Sequence, residues 1–495
     1  MGDASMRHNG KLESTAAASH TIPSGQLTAL SAGTLPALPF IVPPLRLPSP
    51  QFPEPPQPQP RRKYTRPTYA EQFRCIGSEC EDTCCQGWGV PIDQRTYEKY
   101  RSNEFLKPHL GTLIQLNTNH PTTSDYARIP ITNQSACPFL DPERLCGIQK
   151  QLGHEMLSET CATYPRAVST NAGRVERALN LSCPEAARLT LFHPDLLGKG
   201  SRPAIGPNHY AAVLYEASQQ LQLDDVNHRS HGYHEPQLAI REFILMLLAD
   251  RSYPVWQRLY LLVLFTRSLQ TLSAGAGVGS WSDANPSAVA QLLADSSGIA
   301  AHHRLRSMMY EIKARPSERL QLVIELLRQR ISRPPVSARF LECVQDFELG
   351  LGCAKAKSEA EILEAYTEGY KRYYRPFMAR HPHLLENYLI NYVFKNSYPF
   401  GRQPKHTSPN STQGTDAESE YILLCVHAAL AETLLIGIAA HYREAFDLAH
   451  VVKLVQSLAK SIEHSKQFLD EIPAFIRARN LNNPRGIALL LRQDD

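Results

Sequence analysis

Residues 75–85 read CIGSECEDTCC, which puts Cys75, Cys80, Cys84 and Cys85 in Cys-x4-Cys-x3-Cys-Cys spacing. Four more cysteines follow before position 190: Cys137, Cys146, Cys161 and Cys183. Only Cys343, Cys353 and Cys425 lie in the long remainder. Thiolates are soft ligands for zinc and for iron–sulfur clusters, and pairs close in sequence lower the entropy of closing a site. The competing explanation, a disulfide framework, belongs to short secreted chains that cannot build a core. This chain has 495 residues, and its start, MGDASMRHNGKLE, shows no charged segment followed by an apolar one. Metal binding is therefore the expected use of the cluster. The expected fold is mainly α, with an irregular cysteine-rich metal-binding module followed by a helical domain.

Working outward, residues 1–66 are rich in Pro, Ala, Ser and Thr, and QFPEPPQPQP (51–60) favours a polyproline II path. Such a segment cannot bury enough apolar surface to offset its ordering entropy, so a disordered Pro-rich tail is expected there. The cysteine module is expected over 67–204. A helix opens near Ile92, with Asp93 as its cap, and runs to Tyr100; a second covers Leu145 to Glu159. Arg174 to Leu181 has strand character, and Pro184 suits the first turn of the helix after Cys183. Over 205–495 apolar residues recur every three or four positions. The pattern predicts helices at 238–249, 255–272, 318–331, 337–349, 359–373 and 384–394. Two Gly-, Ser- and Pro-rich loops, 273–287 and 402–416, interrupt them.

Hydrophobic residues make up 42% of the chain, and the net charge is +4. A general nucleic-acid binder would show a concentrated basic face, and Arg61-Arg62-Lys63 is the one notable basic run near the amino end. The best membrane-span candidate, Tyr421 to Ala440, carries His427 and Glu432, charges that are costly at a bilayer centre. A buried core helix is the expected reading. With no nucleic acid and no membrane in view, the chain is expected to be cytoplasmic, where thiols stay reduced.

Eight clustered cysteines can supply one four-thiolate site, two such sites, or one site plus reactive thiols. The first four suffice alone for a tetrahedral zinc or a cubane cluster. Neighbours on an extended chain point oppositely, so Cys84 and Cys85 share a metal only through a tight turn, for which Gln86-Gly87 offers flexibility. The alternative for Cys85 is a buried small hydrophobe.

Beyond spacing, the stretch FRCIGSECEDTCCQGW (73–88) resembles the flagellin lysine-N-methylase (FliB) family, within the wider cysteine-cluster proteins described as zinc- or iron-chelating. The similarity continues through Cys137-Pro138-Phe139-Leu140, Leu145-Cys146-Gly147-Ile148-Gln149-Lys150, Thr160-Cys161, Tyr164-Pro165-Arg166 and Leu181-Ser182-Cys183-Pro184-Glu185. Downstream, Glu386-Asn387-Tyr388-Leu389-Ile390-Asn391-Tyr392 and Tyr398-Pro399-Phe400-Gly401 fit the same family. The resemblance implies an enzyme that methylates lysines of flagellin, its protein partner. S-adenosylmethionine would be the donor and an iron–sulfur cluster, of 4Fe-4S type or replaced by zinc, the metal group. The runner-up is a non-catalytic zinc- or iron-chelating module for binding or assembly. No glycine-rich dinucleotide loop follows a clear strand, and no Cys-x3-Cys-x2-Cys motif is present.

Four further residues are candidates for holding the donor. Arg166 could grip a carboxylate, or else form a salt bridge with Glu185. Asn387 and Asn391 stand four apart on one helix face, where they either line a polar pocket or serve solvation and capping. Trp88 could stack on a ligand or pack over the module. His154 and the pair His302-His303 fit hydrogen bonding and exposure better than ligation.

Overall fold

The computed structural model describes residues 69–87, 89–118, 121–131, 136–171, 174–197, 236–275, 286–297, 307–309, 311–312, 315–356, 358–401 and 416–493. The Pro-rich head, Trp88, His302-His303, the expected 204/205 boundary and most of the two loop segments lie outside them. Residues from Lys63 to Asp495 form one compact unit.

The cysteine region is built of short pieces. Strand β1 (Val90–Ile92) pairs antiparallel with β3 (Ala127–Ile129), Val90 opposite Ile129, and β2 (Gln115–Leu116) pairs with the other edge of β3. Helix α1 (Gln94–Ser102) starts where the sequence placed it. Asp93 caps it by accepting from the Thr96 backbone N–H at 2.9 Å. The helix expected over Leu145 to Glu159 is instead two, α2 (Gly147–Leu152) and α3 (Glu159–Thr163). Gly153 takes φ +90° and ends the first, and Ser158 caps the second through the Cys161 N–H. A hairpin, β4 (Arg166–Asn171) and β5 (Arg174–Leu179), leads to α4 (Pro184–Leu191), with Cys183 at the N-cap and Pro184 in the first turn. The β4 strand and the three-stranded sheet are additions to the sequence reading.

The rest is helical: α5 (Pro236–Ala249), α6 (Val255–Gly275), α7 (Pro286–Ser297), α8 (Pro316–Ile331), α9 (Ala338–Gly350), α10 (Glu359–Glu368), α11 (Arg375–Arg380), α12 (His383–Lys395), α13 (Ala417–Tyr442), α14 (Leu448–Leu458), α15 (Lys466–Ala478) and α16 (Pro484–Leu491). Wide π turns follow α10 (Gly369–Tyr374) and α14 (Ala459–Glu463).

Helix α13 is the hub of the fold. It is apolar on every side and so must be surrounded. It touches α6, α8, α9, α10, α12, α14, α15 and α16. It is also the one described helix long and apolar enough to cross a membrane, yet 94% of that stretch is buried inside the protein. Its approach to α9 is very close. A Cβ on Gly350 would meet the Gly437 carbonyl oxygen at 1.9 Å, and one on Gly437 would meet the Phe347 ring at 2.3 Å. Gly350→Ala must therefore push two backbones apart, and we expect a loss of about 1–3 kcal/mol or more in denaturant unfolding. An unchanged midpoint would mean that α9 and α13 do not touch through these glycines.

Two hydrophobic cores result. The small one gathers Val90, Ile92, Tyr100, Leu106, Ile129, Cys137, Phe139 and Ile148. The large one joins the helices to Tyr69, Phe73, Leu179, Leu181, Cys183 and Leu191. The stretch around Tyr69, the β4–β5 hairpin and α4 thus pack with the helical domain.

Candidate metal centre

The adjacent Cys84 and Cys85 lie in a turn after Thr83, with their sulfurs 3.8 Å apart. The Asp82 side chain accepts from the Thr83 N–H and the Thr83 hydroxyl from the Cys85 N–H, which fixes that turn. The hydrogen bond between the two thiols lowers Cys84, and the nearby Lys460 adds to the effect. The same bond and burial push Cys85 up, with Cys137 and Cys146 contributing.

The other cysteines are gathered by short backbone links. Cys137 N–H donates to the Cys85 carbonyl at 2.7 Å. Cys146 sits opposite Leu140 in a one-residue bridge, and Gly147 N–H closes the loop onto the Phe139 carbonyl. Burial first, then neighbouring thiolates, push Cys137 up to about 11 and Cys161 up to about 12. Cys183 also rises to about 12, by burial and then by Cys80 and Cys84. These thiols therefore oppose one another's ionisation, and a cation among them would reverse that penalty. Among the described residues no three His, Cys, Asp or Glu side chains are drawn together closely enough to hold an ion. The donor set fits a thiolate-bound metal group in kind and number, gathered but not clasped. Cys343 and Cys425 are buried elsewhere in the helical core, and Cys353 is exposed.

A polar wall from the helical domain faces this cluster. Gln456, Lys460 and His464 lie four apart where α14 runs into its π turn. Lys460 Nζ reaches both Asp82 oxygens at 2.9 and 3.0 Å and the Thr83 carbonyl at 3.0 Å. Gln456 Nε2 donates to Asp82 Oδ2 and to the Ser182 carbonyl. His464 Nε2 and the Tyr164 hydroxyl each lie 3.0 Å from Ser182 Oγ. Arg188 on α4 holds Glu81 at 2.5 Å. Asp82, Gln456, Lys460, Ser182 and His464 escaped the sequence reading. The available signal was three polar residues at four-residue spacing, Gln456, Lys460 and His464.

The four donor-binding candidates are held by contacts within the protein. Glu185 pairs with Arg188 at 2.6 Å, while Arg166 lies over the Phe73 ring and donates to its carbonyl. The expected Arg166–Glu185 bridge is thus replaced by a local i,i+3 pair. Asn387 and Asn391 share a face that is buried inside the protein. Asn387 Nδ2 donates to the carbonyls of Thr190, Leu191 and His193, which closes the end of α4. Asn391 exchanges two hydrogen bonds with the Leu179 backbone and accepts from Tyr69. Both amides staple α12 to the segment that bears Cys183. His154 lies in a single helical turn, His154–Met156.

The family model described as FliB lysine N-methylase C-terminal domain matches residues 241–490, half of the chain. The chain belongs to the FliB lysine N-methylase family. It is 31% identical over 192 residues to "Lysine-N-methylase" of Salmonella typhimurium, and equally to that of Salmonella choleraesuis. Each match covers 37% of this chain and 46% of the relative, so the chain spans about half the length of these curated relatives. "Flagellar biosynthetic protein FliU" of Salmonella muenchen is 32% identical over 163 residues, 32% of this chain and 95% of that protein. No solved structure matches. The FliB match takes in α12, α13 and α14, so the polar wall belongs to the family domain.

Proposed function

We propose that this chain is a cytoplasmic protein-lysine N-methylase that acts on flagellin. S-adenosylmethionine is its methyl donor, and an iron–sulfur cluster is held by thiols of the set Cys75, Cys80, Cys84, Cys85, Cys137, Cys146, Cys161 and Cys183. One observation carries the reading. Lys460 and Gln456 of the FliB domain bind Asp82 of the cysteine turn, and His464 lies against Ser182 next to Cys183, so the two parts of the chain meet at the cysteines.

Methyl transfer forms an N–C bond as the sulfonium S–C bond breaks, and the lysine ammonium loses a proton. The donor leaves as a neutral thioether. An ordinary lysine, with a pKa of about 10.4, is protonated at neutral pH and must be stripped before it can attack. The chain offers a path for that proton. Tyr164, Ser182 and His464 form a hydrogen-bonded series whose outer end, His464, is exposed. An imidazole with an ordinary pKa of about 6.5 suits the acceptor's task. Lys460 and Asp82 hold the cysteine turn in place beneath it. A cluster held by these thiols would supply closure of the fold or an anchor for the donor.

Cognate flagellin incubated anaerobically with the loaded protein and S-adenosylmethionine should gain mass in methyl steps on lysine. Free lysine should react poorly, since it lacks the remote contacts that hold an amine in attack geometry. No added methyl with the metal centre intact would leave the non-catalytic metal-binding reading in its place. His464→Gln should lower turnover about 10²-fold and remove the acidic limb of the pH profile while bound metal stays unchanged. A variant with the parental pH profile would take His464 out of the proton path.

A further inference from the structure

We propose that the eight thiols divide between the neighbours Cys84 and Cys85 into two metal-binding sets: Cys75, Cys80, Cys84 and Cys183 in one, Cys85, Cys137, Cys146 and Cys161 in the other. The inference rests on the metal-binding part of the reading above and not on methylation.

The division follows the packing. Cys137 is a member of the small core, and Cys85, Cys146 and Cys161 pack against it. Short links bring them there: Cys137 N–H to the Cys85 carbonyl, the Leu140–Cys146 bridge, and the Ser158 cap that orients Cys161. Cys183 belongs to the large core instead, at the start of α4. The loop that carries Cys75 and Cys80 is tied to that same helix start. Glu81 is held by Arg188 of α4, and Gln456 bridges Asp82 to the Ser182 carbonyl.

Chemistry favours the same count. Four thiolates complete a tetrahedral zinc or a cubane cluster, and eight complete two. Cys75, Cys80, Cys84 and Cys85 acting as one set would leave Cys137, Cys146 and Cys161, which gather on the small core with Cys85, one ligand short of four.

The test is metal content of the full chain, purified anaerobically. Cys161→Ser and Cys183→Ser should each lose about half of the bound iron or zinc, and the double variant nearly all of it. Full loss from either single variant, or full retention in either, overturns the division. Should a variant fail to fold, the parent chain decides. After chelator treatment, titration with Cd²⁺ should raise the sulfur-to-metal charge-transfer band linearly to about two equivalents per chain. Saturation at about one equivalent overturns the proposal. Two bound equivalents without methylation of flagellin would sink the catalytic reading and leave this one standing. Methylation with a single bound centre would do the reverse.

Discussion

Cys80→Ser or Cys84→Ser should yield a chain with less bound metal and a markedly less stable fold. In the loop that carries the turn around Thr83, Cys75 and Cys84 are exposed, and Cys85 packs against the small core. Its order rests on the Asp82–Lys460 pair, on the Thr83 and Cys85 backbone bonds, and on whatever the thiols ligate. A thiolate-bound metal contributes about 10 kcal/mol or more of apparent binding free energy, and in a site that closes on loading that becomes folding free energy. A serine hydroxyl is a much poorer ligand for a soft ion. Elemental analysis and chelator-dependent melting check the expectation together. Full metal occupancy in both variants would move the centre wholly to the later cysteines. A brown colour with broad visible absorption identifies iron–sulfur, because zinc is a closed-shell d¹⁰ ion.

Much of the helical domain was legible in the sequence, for identifiable reasons. Pro236, Pro254, Pro316 and Pro484 mark helix starts, where the missing N–H costs nothing. Ser337 and Ser358 cap the helices that follow them by accepting from Phe340 and Glu361. The hydrophobic segment at 421–440 was separable from a membrane span because it carries His427 and Glu432. In the structure His427 lies 3.2 Å from the Tyr388 hydroxyl, and Glu432 pairs with Arg319.

The site was less legible, because its geometry is set by contacts far apart in the chain. Periodicity over Leu145 to Glu159 promised one helix. Gly153 breaks it, and the break lets Cys146 and Cys161 turn toward the same small core. The two asparagines of α12 were correctly placed on one face, but nothing local reveals whether that face meets a cavity or a backbone. Thr190 and Leu179, their partners, lie about two hundred residues earlier. Gln456, Lys460 and His464 gain their meaning only from Asp82 and Ser182, which are brought to them from far away in the chain. The family's helical domain and the cysteine cluster can be recognised separately in sequence; only packing joins them.

Glu176→Ala should be among the most damaging single changes outside the cysteines, at about 3–5 kcal/mol. Glu176 on β5 and Arg241 on α5 are both fully buried and pair at 2.7 Å. Asn171 across the hairpin donates to the same carboxylate, and Arg241 also reaches the Tyr398 carbonyl. Removing the carboxylate leaves a guanidinium in the core with carbonyls alone to meet its charge, which is why breaking one side costs more than the pair contributes. The double variant Glu176→Leu with Arg241→Met removes both charges and keeps the volume, so it should recover most of the loss in denaturant unfolding. The hairpin leads into Ser182 and Cys183, so the single variant should also bind metal less tightly, and the double variant should regain that affinity. Recovered stability without recovered metal would show that the ion pair positions the cysteine side of the site rather than merely holding the hairpin down. A Glu176→Ala chain as stable as its parent would mean that the pair is not desolvated in solution.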